Sequence, residues 1–230
     1  MKKFVGAICA LAMSAALVPA QAQDAKLGDR LDNAANVLTE IMASPDKGIP
    51  QSILSGAYCV VVIPAYKKGA FILGAQYGRG AATCRTPGGW SAPVMVKLTG
   101  GSFGWQIGGQ STDLVIVAMN KNGLHHMLAN KFKLGADAAA SAGPVGRNAQ
   151  AGTDWKLNAE FLTYSRSKGL FAGIDLDGTV LDDDGDDMRA EYGADLPFAQ
   201  VLAGKHATPP NARRFVHTVA KYFVISKVNQ

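Results

Sequence analysis

Apolar residues Leu27, Leu31, Ala34, Leu38 and Ile41 recur at spacings of three and four, which predicts a helix ending near Ser44-Pro45. A second short helix fits residues 51–57. At the far end Thr208 reads as a cap and Pro209-Pro210 as an opening. Phe215, Val216, Val219, Tyr222 and Phe223 then share one apolar face. Between these helices the period changes. "CVVVIP", "AFILGAQYG", "PVMVKL", "SFGWQIGGQ", "DLVIVAMN", "WKLNAEFLTYS" and "GLFAGIDL" read as strands, with a brief helix at residues 124–130 among them. Glycine recurs inside these runs, where it marks a bulge or a close backbone approach. The expected fold class is α+β: a Gly-rich, curved, mainly antiparallel sheet with N- and C-terminal helices packed on it.

The start of the chain bears on compartment. Lys2 and Lys3 precede an apolar run that ends before Ala20-Gln21-Ala22, the form of a cleavable secretory signal over residues 1–22. Residues 23–230 are expected to form one domain that is exported to the periplasm or secreted, peripheral to the envelope membrane at most. No later segment is long and apolar enough to span a bilayer as a helix. Loss of the two lysines lowers the net charge from its full-chain value of +5. That mild basicity argues against nucleic acid as a partner and allows attraction to anionic lipid. Cys59 and Cys84 suit either a disulfide or two small buried hydrophobes.

Several short strings invite a chemical reading. "GLFAGIDLDGTVL" contains Asp175 and Asp177 at the spacing of a haloacid-dehalogenase-type phosphatase loop. The alternation instead places Leu170, Ala172, Ile174 and Leu176 on one strand face, with Asp177-Gly178 as the turn of a type I′ hairpin. Too little chain follows for the βα units a phosphatase needs. Asp182, Asp184 and Glu191 fall at ligand positions of a calcium loop centred on Gly185, but Val180 occupies the first position, which favours a solvated acidic loop and no metal. Ser102 in "GGSFG" matches a nucleophile elbow, yet strand-like sequence follows where a helix is required.

Three blocks in order, "GGWSAP", "AGPVGR" and "YSRSKGLFAG", give the chain a resemblance to the SYLF domain family over about residues 49–193. The resemblance implies binding of anionic phospholipid without catalysis and without a cofactor; eukaryotic members bind phosphoinositides, and some bind actin. Some of those members use a basic amphipathic N-terminal helix at the membrane. Here the matching helix is net acidic, so it is expected to pack on the sheet instead. Candidate lipid contacts are Lys67 and Lys68 in a turn, Tyr164, Arg166 and Lys168 in "TYSRSKG", and Arg213, Arg214, His217 and Lys221 along the closing helix. Two alternatives stand beside this: an envelope structural or protein-interaction module, and a hydrolase using Asp175/Asp177 or Ser102.

Overall fold

The computed structural model describes residues 20–43, 48–145, 159–167 and 170–224, with the backbone alone for 20–25, 70–74 and 102–110. Helix α1 (Ala20–Met42) contains the expected apolar stripe, and Leu27, Leu31, Ala34, Leu38 and Ile41 are all buried. Each leucine so buried contributes roughly 1.5–3 kcal/mol. The leader-like segment lies outside the described residues apart from Ala20–Ala22, which begin α1. Helix α2 (Gln51–Gly56) follows the sequence expectation closely, and α3 (Lys121–Leu128) begins and ends earlier than the expected residues 124–130. The closing helix is α6 (Arg213–Tyr222), preceded by a 3₁₀ turn at Pro210–Ala212. It buries Phe215 and Val219. Among the described residues no helix is long and apolar enough to cross a membrane.

Among the described residues the sheet has eight strands, mainly antiparallel and strongly curled. Two of them are far longer than the sequence pattern suggests. β1 (Cys59–Thr86) and β3 (Val94–Ala118) pair from Cys59 opposite Ala118 to Ala82 opposite Val94. Their connection contains β2 (Gly89–Trp90), which pairs back on the end of β1. β6 (Phe161–Ser167) pairs with one end of β3, and β8 (Val180–Asp183) pairs with the other. β4 (Lys131–Lys133) pairs with β8, and β7 (Leu170–Gly173) with β6. β5 (Ala140–Ala142) runs parallel to β6.

Lys67-Lys68, expected in a turn, therefore lies within β1, opposite Ser111 and Gln110. Glycine and proline in this sheet bend strands without ending them. Pro64-Ala65 sits in a register shift of β1, where Ala65 adopts φ 52° and its N–H donates to Asp113 Oδ1 at 3.0 Å. A bulge is where a sheet tolerates proline.

The curl is tight enough for β1 to meet itself. A 28-residue strand would extend roughly 90 Å. Yet the Cα atoms of Cys59 and Cys84 are 4.0 Å apart, and the two cysteines form a disulfide. Gly80 marks the crossing: a Cβ there would lie 2.0 Å from the Val62 carbonyl oxygen and 2.8 Å from Ile63 Cα. No side chain fits between backbones that close.

Two further helices were not anticipated. α4 (Gly185–Tyr192) and α5 (Phe198–Leu202) lie where the sequence suggested a solvated acidic loop and its sequel. Asp184 and Asp187 are in fact buried, and Met188 packs into the core beside them. Helix α1 lies on β1 and is flanked by α4 and α6.

Candidate functional site

The aspartates of the phosphatase-like string are used locally. Asp175 Oδ1 accepts the Asp177 N–H at 2.8 Å, and the Thr179 N–H donates to the Leu176 carbonyl at 3.0 Å. Gly178 takes φ 82°, whereas Asp177 is not among the positive-φ residues, so the turn is of type II form, not type I′. The expected hairpin is absent. β7 pairs with β6, and β8 pairs with β3 and β4, because Gly178 N–H and Thr179 C=O bond instead to Leu134. Over β7 the expected face is reversed, with Leu170 74 % exposed and Phe171 stacked on Tyr164, whereas Ile174 and Leu176 beyond it turn into the core. Ser102 lies within β3 opposite Gly74, a position with no strand-to-helix corner.

The acidic residues once aligned with a calcium loop point to separate partners. Asp182 pairs with Lys131 at 3.0 Å and Lys97 at 3.7 Å, Asp184 with Arg79 at 3.0 Å, and Glu191 accepts from Asn211 at 3.0 Å. Among the described residues no group of His, Cys, Asp or Glu is arranged to hold a metal.

The basic candidates divide clearly. Tyr164 is fully buried, stacked 5.4 Å from Phe171 with its ring against Gly143, so it cannot meet a headgroup. Burial pushes its phenol well up. Arg166 is occupied, bonding Asp113 at 2.8 Å and pairing with Glu40 of α1. Lys168 lies outside the described residues. Arg214 bonds Asp32 at 3.0 Å and Asn36 at 2.5 Å, fastening α6 to α1. Arg213, His217 and Lys221 stand exposed on α6, with the Lys221 ammonium 5.1 Å from the Tyr222 ring centre. Lys67 and Lys68 are exposed on β1.

Lys67 belongs to a groove that sequence reasoning did not assemble. It has a volume of about 360 Å³ and lies between the first turns of α1 and the crossing of β1. Lys26, Asp29 and Arg30 come from the helix. Pro64, Ala65 and Lys67 come from the outgoing limb of β1, and Tyr77, Gly78 and Arg79 from the returning limb. Arg79 bonds the Tyr77 hydroxyl and leans on Asp184 and on Asp187 at 3.5 Å, and Arg30 pairs with the same Asp187 oxygen. Lys26 and Lys67 have no ion-pair partner among the described residues. Tyr77 is 43 % exposed beside them.

Helix α1 had looked unsuitable because its acids outnumber its bases. The structure answers part of that objection: Asp32 and Glu40 are matched by Arg214 and Arg166, and Lys26 lies on the groove side together with Asp29. The arrangement offers two ammonium groups and a guanidinium edge to an anion, with a phenol beside them and the Asp29 carboxylate as the one acid on α1's side of the groove. Phosphate oxygens suit this donor set.

Behind the groove, burial and the neighbouring Asp187 hold the Asp184 carboxyl above the usual aspartate range, and Arg79 offsets only part of this. The folded protein thus keeps that proton to a higher pH than the unfolded chain does. The group's contribution is full below the ordinary aspartate value and is lost as pH rises through the raised one. Asp184→Asn should flatten this decline, measured as urea midpoints from about pH 4 to about pH 7.

The family model described as "Ysc84: Las17-binding protein actin regulator" matches residues 99–222, more than half of the chain. "SH3 domain-containing YSC84-like protein 1" of Xenopus laevis is 33 % identical over 172 residues, covering 74 % of this chain and 51 % of that protein. Its human counterpart is 32 % identical over 178 residues, covering 76 % and 52 %. "LAS seventeen-binding protein 3" of Saccharomyces cerevisiae is 30 % identical over 169 residues, covering 72 % and 37 %. The chain thus spans about half or less of the length of the curated relatives it matches. With most of β3, the strands β6 and β8 that pair with it and the closing helix inside the matched residues, the chain belongs to the Ysc84 family, the family of the SYLF domain.

Proposed function

We propose that this chain is a non-catalytic binding module that docks on anionic phospholipid, with the groove between α1 and β1 receiving headgroup phosphate. The observation behind this is the convergence of Lys26, Lys67 and Arg79 from three separate stretches of chain beside exposed Tyr77. The exposed Arg213, His217 and Lys221 of α6 add positive surface outside the groove. A non-catalytic role is supported by Asp175 being taken up in a turn and by Ser102 lying in mid-strand. The leader-like start and the Cys59–Cys84 bond support placing the protein outside the cytoplasm, at a membrane face of the envelope.

Flotation with phosphatidylglycerol vesicles tests the reading. Binding is expected to require the anionic lipid and to weaken as salt rises. Changing Lys26 and Lys67 together to alanine should cost about 2 kcal/mol, roughly thirtyfold in affinity. Equal retention on neutral phosphatidylcholine, or none on either vesicle, would refute the proposal. A protein-binding role, of the kind the yeast relative is named for, would then take its place.

A further inference from the structure

The groove has a second layer. Behind its floor lie two carboxylates, Asp184 and Asp187, each 3 % exposed, with the guanidiniums of Arg30 and Arg79 against them. Arg79 belongs to both layers: it lines the groove, and it is the ion-pair partner of the two buried acids. Its hydrogen bonds are unevenly given. The Arg79 Nε–H donates to the Tyr77 hydroxyl, so Asp184 Oδ2, although 3.0 Å from that nitrogen, is buried and accepts no hydrogen bond. An oxygen held this way is costly while ionised, and taking a proton relieves it. Asp187, three residues on, lies within hydrogen-bonding reach of the resulting acid.

The charged groups that face the pair come from two neighbouring elements. β1 supplies Arg79, with the Tyr77 phenol beside it, and α1 supplies Arg30. On β3, which also packs against α4, Met95 meets Asp184 through its backbone carbonyl, and Lys97 is drawn to Asp182. Within α4, Arg189 pairs outward with Asp186 and with Asp195. With Lys26, Lys67 and Asp29 at the rim, groove and cluster together carry one net positive charge when all three acids are ionised. A single proton on the pair doubles it.

We infer that Asp184 and Asp187 form a proton switch for the groove: one proton taken up by the pair turns Arg79 from an internal counter-ion into a ligand for headgroup phosphate, so anionic phospholipid is held more tightly as pH falls. The inference rests on the lipid reading given above and adds the regulation of that site. Arg79 already lines the groove, so no rearrangement of the fold is required. What changes is the number of carboxylates that compete with phosphate for it. Burial and the neighbouring Asp187 favour the protonated form of Asp184, which places the switch above the ordinary aspartate range. The coupling runs both ways. A headgroup that engages Arg79 leaves the pair short of its counter-ion and raises its proton affinity by the same factor.

Flotation on phosphatidylglycerol vesicles at about pH 7.5 and about pH 5 reads the switch, because this phosphodiester stays ionised across that range. Histidines gain charge over the same interval, so the measure is the difference between the unmodified chain and Asp184→Asn, which keeps all 4 of them. Asparagine stands in for the protonated acid. The variant should bind about fivefold more tightly than the unmodified chain at the upper pH, and the advantage should shrink at the lower one. Carbon-13 shifts of the Asp184 carboxyl in the unmodified chain follow the proton directly, a reading that does not depend on the variant folding. Short-chain phosphatidylglycerol should raise the titration midpoint by about 0.7 of a pH unit, the same fivefold factor. If the unmodified chain binds vesicles but Asp184→Asn is no tighter at the upper pH, or lipid leaves the midpoint unmoved, the switch is overturned and headgroup binding stands. No vesicle binding by the unmodified chain at either pH overturns both.

Discussion

Gly80→Ala is expected to destabilise the fold by at least about 3 kcal/mol, because the added methyl has nowhere to go. Its Cβ would sit 2.0 Å from the Val62 carbonyl oxygen and within 2.8 Å of Ile63 Cα, both backbone atoms of the limb beneath. A flexible side chain could swing aside; a paired strand cannot. Relief would require the two limbs of β1 to separate, and Val62 and Ile63 are held opposite Val115 and Leu114 in the centre of the sheet. Urea unfolding followed by circular dichroism measures the loss. Gly28→Ala provides the contrast, since nothing lies within 4 Å of the new methyl on α1. That change should stabilise by about 0.5–1 kcal/mol through helix propensity. Equal effects at the two sites would show that β1 does not cross itself as described.

The second large effect concerns the same crossing. Cys59 and Cys84 are separated by 25 residues, and joining them restricts the unfolded chain. Replacing both with alanine should lower stability by about 3 kcal/mol. For a protein of this size that corresponds to a fall on the order of 6–12 °C in Tm. Thermal unfolding with and without a thiol reductant offers the same comparison without mutation. A Tm insensitive to both treatments would mean that the sheet alone holds the limbs together.

Helix periodicity was easy to read because each helix buries a stripe at fixed spacing. Leu27 to Ile41 and Phe215 with Val219 announce themselves through residue type alone. The class of fold, α+β with a curved Gly-rich sheet, followed from glycine inside β-rich runs. What stayed hidden was strand length. Pro64, Lys67-Lys68 and the glycines beyond them look like ends of strands, but pairing across β3 carries β1 through all of them. A local pattern cannot tell a bend from a break, because the partner strand decides. Helix α4 was missed for a related reason: "GDDMRAEY" is polar in composition, and only contact with Arg30 and Arg79 makes Asp187, with Asp184 just ahead of the helix, interior.

The candidate site shows the same division. Lys67 was legible as an exposed base, yet Tyr164 and Arg166 were misplaced by reading "TYSRSKG" as surface. Their strand lies between β3 and β7, so Tyr164 turns inward and Arg166 reaches acids on β3 and α1. Lys26 could not be promoted from sequence, because its role depends on which acids of its own helix are already matched by Arg166 and Arg214.

The sulfur bridge has a topological consequence. Together with the backbone it closes the whole span from Cys59 to Cys84 into a covalent macrocycle. Hydrolysis of any one peptide bond along that perimeter opens the circle without dividing the molecule. The two pieces stay fastened until the sulfurs are reduced.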